Sequence, residues 1–478
     1  MKKYLILIFS LLILSGVYAQ VLLPKVLTNN MVLQQGKPVN IWGTAGADEK
    51  ITVAFAGQEK ETETDPQGNW LVQLDPMKAS AEPRSMTITG SNTIILQNIL
   101  VGEVWLCSGQ SNMEYPMDRH LKRYAAPAKG EDLAAKELAV PKNPLIRFLY
   151  VEHKLMPVLP TDGWKDCNDT TLKYASAVAY FFGKNLAENL NVPVGIISTS
   201  WGGTRVEQWT PAYAYRQSSF FRDSLKGRNN FKIDGMVPGK MFEGMLKPII
   251  PYTIKGFTWY QGESNVMVHD TSSFVIKTKL MLDTWKSLWK DDDLAFYFVQ
   301  IAPYYYSHRT KDKYRHETDL LPYYWEKQAK CLEFPHSGMV VTTDLVDDLK
   351  NIHPSYKWEV GRRLSLWALA LDYGSKSEYS GPLYKGMKIK KGKIILKFKH
   401  TKTGLKSSDG KSLTWFTIAG SDKKFYPAKA IVRGQKLVVS SPDVETPVAV
   451  HFAWDETAMP NFCNGTGLPA SPFRTDNW

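Results

Sequence analysis

The chain is poor in cysteine: four in 478 residues, Cys107, Cys167, Cys331 and Cys463, none in a CxxC pair. Their spacing offers neither a zinc-finger pattern nor the dense framework of a small disulfide-stapled fold. Beyond the first twenty residues there is also no apolar run of the roughly 20 residues that a membrane helix needs. Internal repeats and low-complexity tracts are missing too. Basic residues outnumber acidic ones, 59 to 47, yet the surplus is scattered. Its one dense stretch, Met387 to Lys406, interleaves Lys388, Lys390, Lys393, Lys397 and Lys399 with Ile389, Ile394, Leu396 and Phe398. That is the alternation of half-exposed strands, so a solvated sheet face is expected there and no nucleic-acid partner. An anionic substrate remains compatible with the charge.

What is present begins with MKKYLILIFSLLILSGVYAQ, in which Lys2 and Lys3 precede an apolar run from Tyr4 to about Val17 and the small Ala19 precedes Gln20. A basic start, a short apolar stretch and a small-residue end describe a signal peptide over residues 1–19. Its removal would take the formal charge from +12 to +10. Export to the periplasm or exterior, with no membrane anchor, is therefore expected.

From 20 to 100 the sequence runs in short alternating segments broken by turns, with Asp65-Pro-Gln-Gly68 placed as a hairpin would place it. This predicts an amino-terminal β-sandwich. Over 101–375 apolar strands alternate with amphipathic helices such as SAVAYFFGKNLAENL, which predicts an α/β domain with a parallel sheet. From 376 to 478 short strands return, a carboxy-terminal β-rich region.

In an open parallel sheet the ligand crevice lies at the carboxyl ends of the strands. Four apolar strands run into chemistry-bearing loops: Ser108-Gly-Gln-Ser-Asn112, Ser200-Trp-Gly-Gly-Thr-Arg205, Gln261-Gly-Glu-Ser-Asn265, and Asp344 to His353. Together they hold a serine, glycine amides, side-chain amides and a histidine beside carboxylates, the parts of a serine acyl-transfer site. Of nine histidines, His353 alone sits in such a loop.

The stretches GEVWLCSGQSNME, SWGGTRVEQWTP, WYQGESN and NIHPSYKWEVGRRLSLWALAL resemble, in this order, the motifs of the sialate O-acetylesterase family, a branch of the SGNH (GDSL-like) hydrolases. NNMVLQQGKPVNIWGTA and DPQGNW resemble its amino-terminal patterns. The resemblance implies a serine esterase with Ser111 as nucleophile, Ser108 being the alternative, and His353 as base. It implies an oxyanion hole from the amides of Ser111 and Gly203 with a side-chain amide from Gln261 or Asn265, and Glu263 and Asn112 as supporting residues. The acid partner of His353 is expected at Asp347, with Asp344 and Asp348 as alternatives or a dyad without one, because Lys350 stands where an aspartate usually precedes the histidine. Neither metal nor other cofactor is implied. The implied substrate is an O-acetylated sialic acid whose carboxylate Arg205 would pair. Acetylated xylan or another acetylated glycan, a lipase-like ester, and carbohydrate binding without turnover are the alternatives. Trp164, Trp201, Trp209 and Trp259 are candidate sugar platforms, and the segment 303–325 a candidate loop over the cleft. Disulfide pairing and oligomeric state are not legible.

Overall fold

A computed structural model describes residues 20–140, 143–151, 162–310 and 312–478. The expected signal peptide, 1–19, lies outside the described residues. Among them, no helix is long and apolar enough to cross a membrane.

Six amino-terminal strands come first. Val39–Thr44 pairs antiparallel with Asn69–Leu74, while Lys50–Phe55 pairs with both Gln58–Glu63 and Ser80–Thr89. Val32–Gln34 instead joins the long strand described next. Burial alternates along Lys50–Phe55 and Asn69–Leu74, the period-2 signature of a one-sided sheet. The turn at Asp65–Gly68 forms, with Gly68 N donating to Asp65 O over 2.8 Å. It is not a hairpin: its flanking strands pair with different partners, so it carries the chain from one sheet to the other.

The central sheet is built from β1 (Thr93–Gly109), β2 (Ile146–Tyr150), β3 (Trp164–Asp166), β4 (Val194–Ser200), β5 (Gly256–Tyr260), β6 (Ala295–Val299) and β7 (Ser337–Val340). Their order is β7-β6-β5-β1-β4-β2-β3, and all neighbours are parallel except the β2–β3 pair. β1 is 17 residues long. Its first half pairs with Ser80–Thr89 and Val32–Gln34, its second half with β4 and β5. The composition change at 100/101 thus falls inside one continuous strand. Helices α1 (Ser111–Glu114), α2 (Ala177–Leu190), α3 (Val206–Trp209), α4 (Phe274–Trp289) and α5 (Lys357–Leu371) follow β1, β3, β4, β5 and β7 respectively. One contiguous set of buried apolar side chains runs from Val21 through the central sheet to Leu369.

A separate core, from Ile394 to Phe473, fills the carboxy-terminal region, where two four-stranded antiparallel sheets lie. Lys393, Lys397 and Lys399 are exposed there while Ile394, Leu396 and Phe398 are buried, as their alternation predicts; Ile389, on the edge strand, is 52% exposed. The four cysteines are all buried.

α5 lies against α2 so closely that a Cβ on Gly361 would meet Val178 O at 2.5 Å. Alanine normally stabilises a helix interior by about 1 kcal/mol over glycine, but overpacking is worth typically 1–3 kcal/mol in the other direction. Gly361→Ala is therefore expected to lower the chain's stability, seen as an earlier midpoint in chemical denaturation; an unchanged or later midpoint would show that the helices can separate freely.

Candidate active site

The register of the sheet sets the site. Gly109, the last residue of β1, is level with Ser200 of β4 and Tyr260 of β5, so three adjacent strands release their loops at one edge. Gly109 has φ +144°, and a Cβ there would sit 2.1 Å from Tyr260 O; only glycine permits this approach. The extended Gln110 then starts α1, its carbonyl accepting from Met113 N and Glu114 N at 2.8 and 2.9 Å. Ser111 is the first helical residue, half-buried at the rim. Ser108, by contrast, is fully buried inside β1, which removes it as the alternative nucleophile.

His353 Nε2 lies 2.9 Å from Ser111 Oγ. The imidazole stands against Tyr124, ring centroids 4.8 Å apart, and Tyr124 stacks on Tyr115 at 4.4 Å. Burial and then the nearby Lys357 charge depress the His353 pKa to about 4, Glu114 opposing them. The ring is therefore neutral at ordinary pH, with a lone pair free to accept the serine proton.

The β4 loop completes the surroundings of Ser111. A Cβ on Gly202 would lie 3.4 Å from Ser111 Cβ, and Gly202 N donates to Glu114 Oε2 at 2.7 Å. Gly203 follows with φ +74° and open space beside it. Among the described residues neither the Ser111 nor the Gly203 amide has a protein acceptor, so both are available to an oxyanion.

The side-chain amides are placed differently from expectation. Gln261 Nε2 donates to Asn265 Oδ1 (2.7 Å), Gln110 Oε1 (3.2 Å) and Thr204 O (3.2 Å). Asn265 Nδ2 donates to Asp270 Oδ2 (2.9 Å) and Glu207 Oε2 (3.3 Å). Both are buried and engaged, tying the three loops together instead of facing Ser111. Glu207 and Asp270, with Asp234, gather around the ammonium of the buried Lys277, 2.9 Å from the first two. That lysine already supplies the cation that three carboxylates demand.

Asp347 does not reach the imidazole either. Its carboxylate accepts from Tyr356 Oη at 2.6 Å and Ala128 N at 2.8 Å. Asp344 is paired bidentately with Arg363, and Asp348 accepts from Lys350 N at 2.9 Å. Among the described residues the imidazole's hydrogen-bond partner is Ser111 alone. The loop is instead fixed through its backbone: Asn351 Oδ1 accepts from His353 N at 3.0 Å, and Asn112 Nδ2 donates to Ile352 O at 3.0 Å. Asn112 also donates to Glu263 and accepts from Lys357 Nζ at 2.6 Å. Lys357, which the sequence reading passed over, is buried between the rings of Tyr115 and Tyr260, 5.1 Å from each centroid. Burial pushes its pKa down to about 7 against the pull of Glu263, whose own pKa burial raises. Its only sequence signal is a lysine opening an apolar helix four residues after the histidine.

Arg205 is buried too. Its Nη2 donates to Asp234 O at 2.7 Å, while Nε and Nη1 find no partner among the described residues. Trp164, Trp209 and Trp259 belong to the core, and Trp201 is half-exposed next to Gly202. Of the 303–325 segment, Tyr305 touches the histidine loop, its N donating to Leu349 O at 3.0 Å.

The imidazole is expected to stay neutral well below pH 6.5, and replacing Lys357 by methionine to raise its pKa, since a neighbouring positive charge disfavours imidazolium. Histidine NMR titration of the two proteins checks both; a wild-type value at or above 6.5 contradicts the depression.

A model of the carbohydrate esterase, sialic acid-specific acetylesterase family matches residues 101–365. The chain is 28% identical to the sialate O-acetylesterase of Homo sapiens over 94% of this chain and 91% of that one. It is 26% identical to that of Mus musculus over 93% and 92%. Among solved structures it is similar to a carbohydrate acetylesterase from Xanthomonas citri, with TM-score 0.83, 30% identity, and coverage of 96% of this chain and 100% of that one. With strand ends, serine, glycine loop and histidine in one place and the match spanning the whole central sheet, the chain belongs to the sialic acid-specific acetylesterase family of carbohydrate esterases.

Proposed function

We propose that this esterase removes O-acetyl groups from sialic acids, with Ser111 as nucleophile and His353 as base. The observation that carries the reading is the 2.9 Å contact between Ser111 Oγ and His353 Nε2 beside the open amide of Gly203. The named activity of the mammalian relatives supports the choice of sugar.

His353 takes the serine proton as Oγ attacks the acetyl carbonyl. The tetrahedral oxygen is held by the Ser111 and Gly203 amides. The imidazolium returns its proton to the departing sugar hydroxyl, leaving acetyl-Ser111, which water attacks with the same histidine as base. A serine–histidine dyad suffices because the task of a triad acid is chiefly to orient the ring. Here Asn112 holds the Ile352 carbonyl and Tyr124 backs the imidazole. The basic start, short apolar run and small-residue end of residues 1–19, read as a signal peptide, support an activity outside the cytoplasm.

Acetate release by the chain lacking residues 1–19 is measured on O-acetylated sialic acid and on acetylated xylan, alongside three variants. Ser111→Ala is expected to lose at least about a thousandfold. Asn112→Ala is expected to lower kcat by up to about a hundredfold with KM little changed, since the histidine loop loses its anchor. Asp347→Asn should lose less than about tenfold, against the roughly ten-thousandfold of a neutralised triad carboxylate. Release from xylan alone would keep the mechanism and displace the substrate; an Asp347→Asn loss of the triad size would displace the dyad.

A further inference from the structure

Between the β4 loop and Ile233 the chain makes a short excursion that the reaction does not use. It has its own small core of Tyr215, Phe221, Leu225 and Ile233, packed against Ile276 and Leu280 of α4. On its surface stand Arg216, Arg222, Lys226, Arg228 and Lys232, all exposed, and Asp223 is the sole carboxylate between 212 and 232. That carboxylate meets Arg222 at 3.4 Å with both side chains mostly in water, so it neutralises little. The other four cations have no carboxylate partner among the described residues.

The charges are arranged around two adjoining hollows. One, of about 370 Å³, is bounded by Arg216, Arg222 and Lys226 with Asp223 as its one carboxylate; the other, of about 600 Å³, by Arg216, Arg228 and Lys232 together with Asn229, Asn230 and Phe231. Arg216 is the shared wall. Its guanidinium is held in place: Nη1 donates to Arg228 O at 2.8 Å, Nη2 to Asn229 O at 2.7 Å, and the plane lies 4.7 Å from the Phe231 ring centroid. These two bonds fix the backbone turn that displays Arg228 and hold Arg216 itself in place between the hollows.

The excursion belongs to the active-site edge of the sheet. Arg205, two residues past Gly203, donates to Asp234 O, and Gly239 N donates to Glu207 O at 3.2 Å. We propose that the two hollows are a subsite for the carboxylates of an acidic glycan, so that the esterase grips sialic acid residues of a chain beyond the acetylated one. The inference rests on the sialic acid reading of the site. Repeating carboxylates bring several charges where a lone sialic acid brings one, and the exposed Asn229 and Asn230 offer hydrogen bonds to sugars.

The test is calorimetric titration of the Ser111→Ala chain with an acetyl-free α-linked sialic acid tetramer at low and moderate salt, with sialic acid monomer, xylotetraose and duplex DNA as comparisons. Tetramer affinity should exceed monomer affinity, fall with salt, and drop tenfold or more in an Arg228→Ala/Lys232→Ala double variant. The same double change in the Ser111 enzyme should leave 4-nitrophenyl acetate hydrolysis unaltered, which reports that it folds. Failure to bind the tetramer, equal affinity in the double variant, or stronger binding of DNA overturns the subsite, whatever the esterase assay gives. If the tetramer effect appears while no sialic ester is cleaved, the subsite stands and the substrate reading fails.

Discussion

Everything at the site depends on three strands ending level. Because Ser200, Gly109 and Tyr260 share one register position, the loops after them begin within hydrogen-bonding reach of each other. Gln261, reaching Gln110, Thr204 and Asn265, then ties one residue beside the nucleophile to one beside the glycine amide. A slip of one residue in any ladder would turn each side chain to the opposite face. The buried ladder thus enforces angstrom-scale placement of a serine that is itself only half-buried.

The polar groups beneath the site form two buried systems of different kinds. Around Lys277 three carboxylates and Asn265 close a charge cluster under the β4 and β5 loops. Around Asn112 a single amide meets Glu263, Lys357 and the Ile352 carbonyl. The first is rich in strong ion pairs and gives rigidity. The second holds a lysine and a glutamic acid whose pKa values burial moves in opposite directions, and it sits against the base. Its electrostatics act on the imidazole directly, as the influence of Lys357 on His353 shows.

Much of this was legible in the sequence, and the reasons for the rest are physical. Strand–loop patterns marked the four loops and His353, because a strand end followed by glycine and small polar residues is a local signature; within those loops the family resemblance singled out Ser111 and Gly203. The resemblance likewise pointed to Asp347, Gln261 and Asn265, and the guanidinium beside the second motif to Arg205, residues whose chemistry suited the roles expected of them. Which of several carboxylates reaches an imidazole, or whether an amide faces the cleft or the interior, depends on side-chain directions that no local pattern carries. Tyr356 claims Asp347, and the Lys277 cluster claims Asn265. Lys357 was invisible for a simpler reason: lysine is almost always a surface residue. The fold classes of the three regions followed from periodicity, whereas the passage from the first to the second, within β1, lay in an apolar run where strand ends leave no mark.

That passage bears on how such a chain can be cut and recombined. β1 extends about 55 Å at the usual rise per residue, and Gln34 Nε2 donates to Glu103 while its Oε1 accepts from Val104 N, at 2.9 and 2.8 Å. The strand that delivers Ser111 is therefore clamped at its far end by the amino-terminal sheet. Hydrolase and β-region are two ends of one beam: severing them at residue 100 would strip the ladder from Val101 and Gly102 and remove the Gln34 side-chain bonds at Glu103 and Val104. In modular terms the smallest transferable unit is the pair, and a lineage that shuffles its β-regions would have to move the nucleophile's own strand with them.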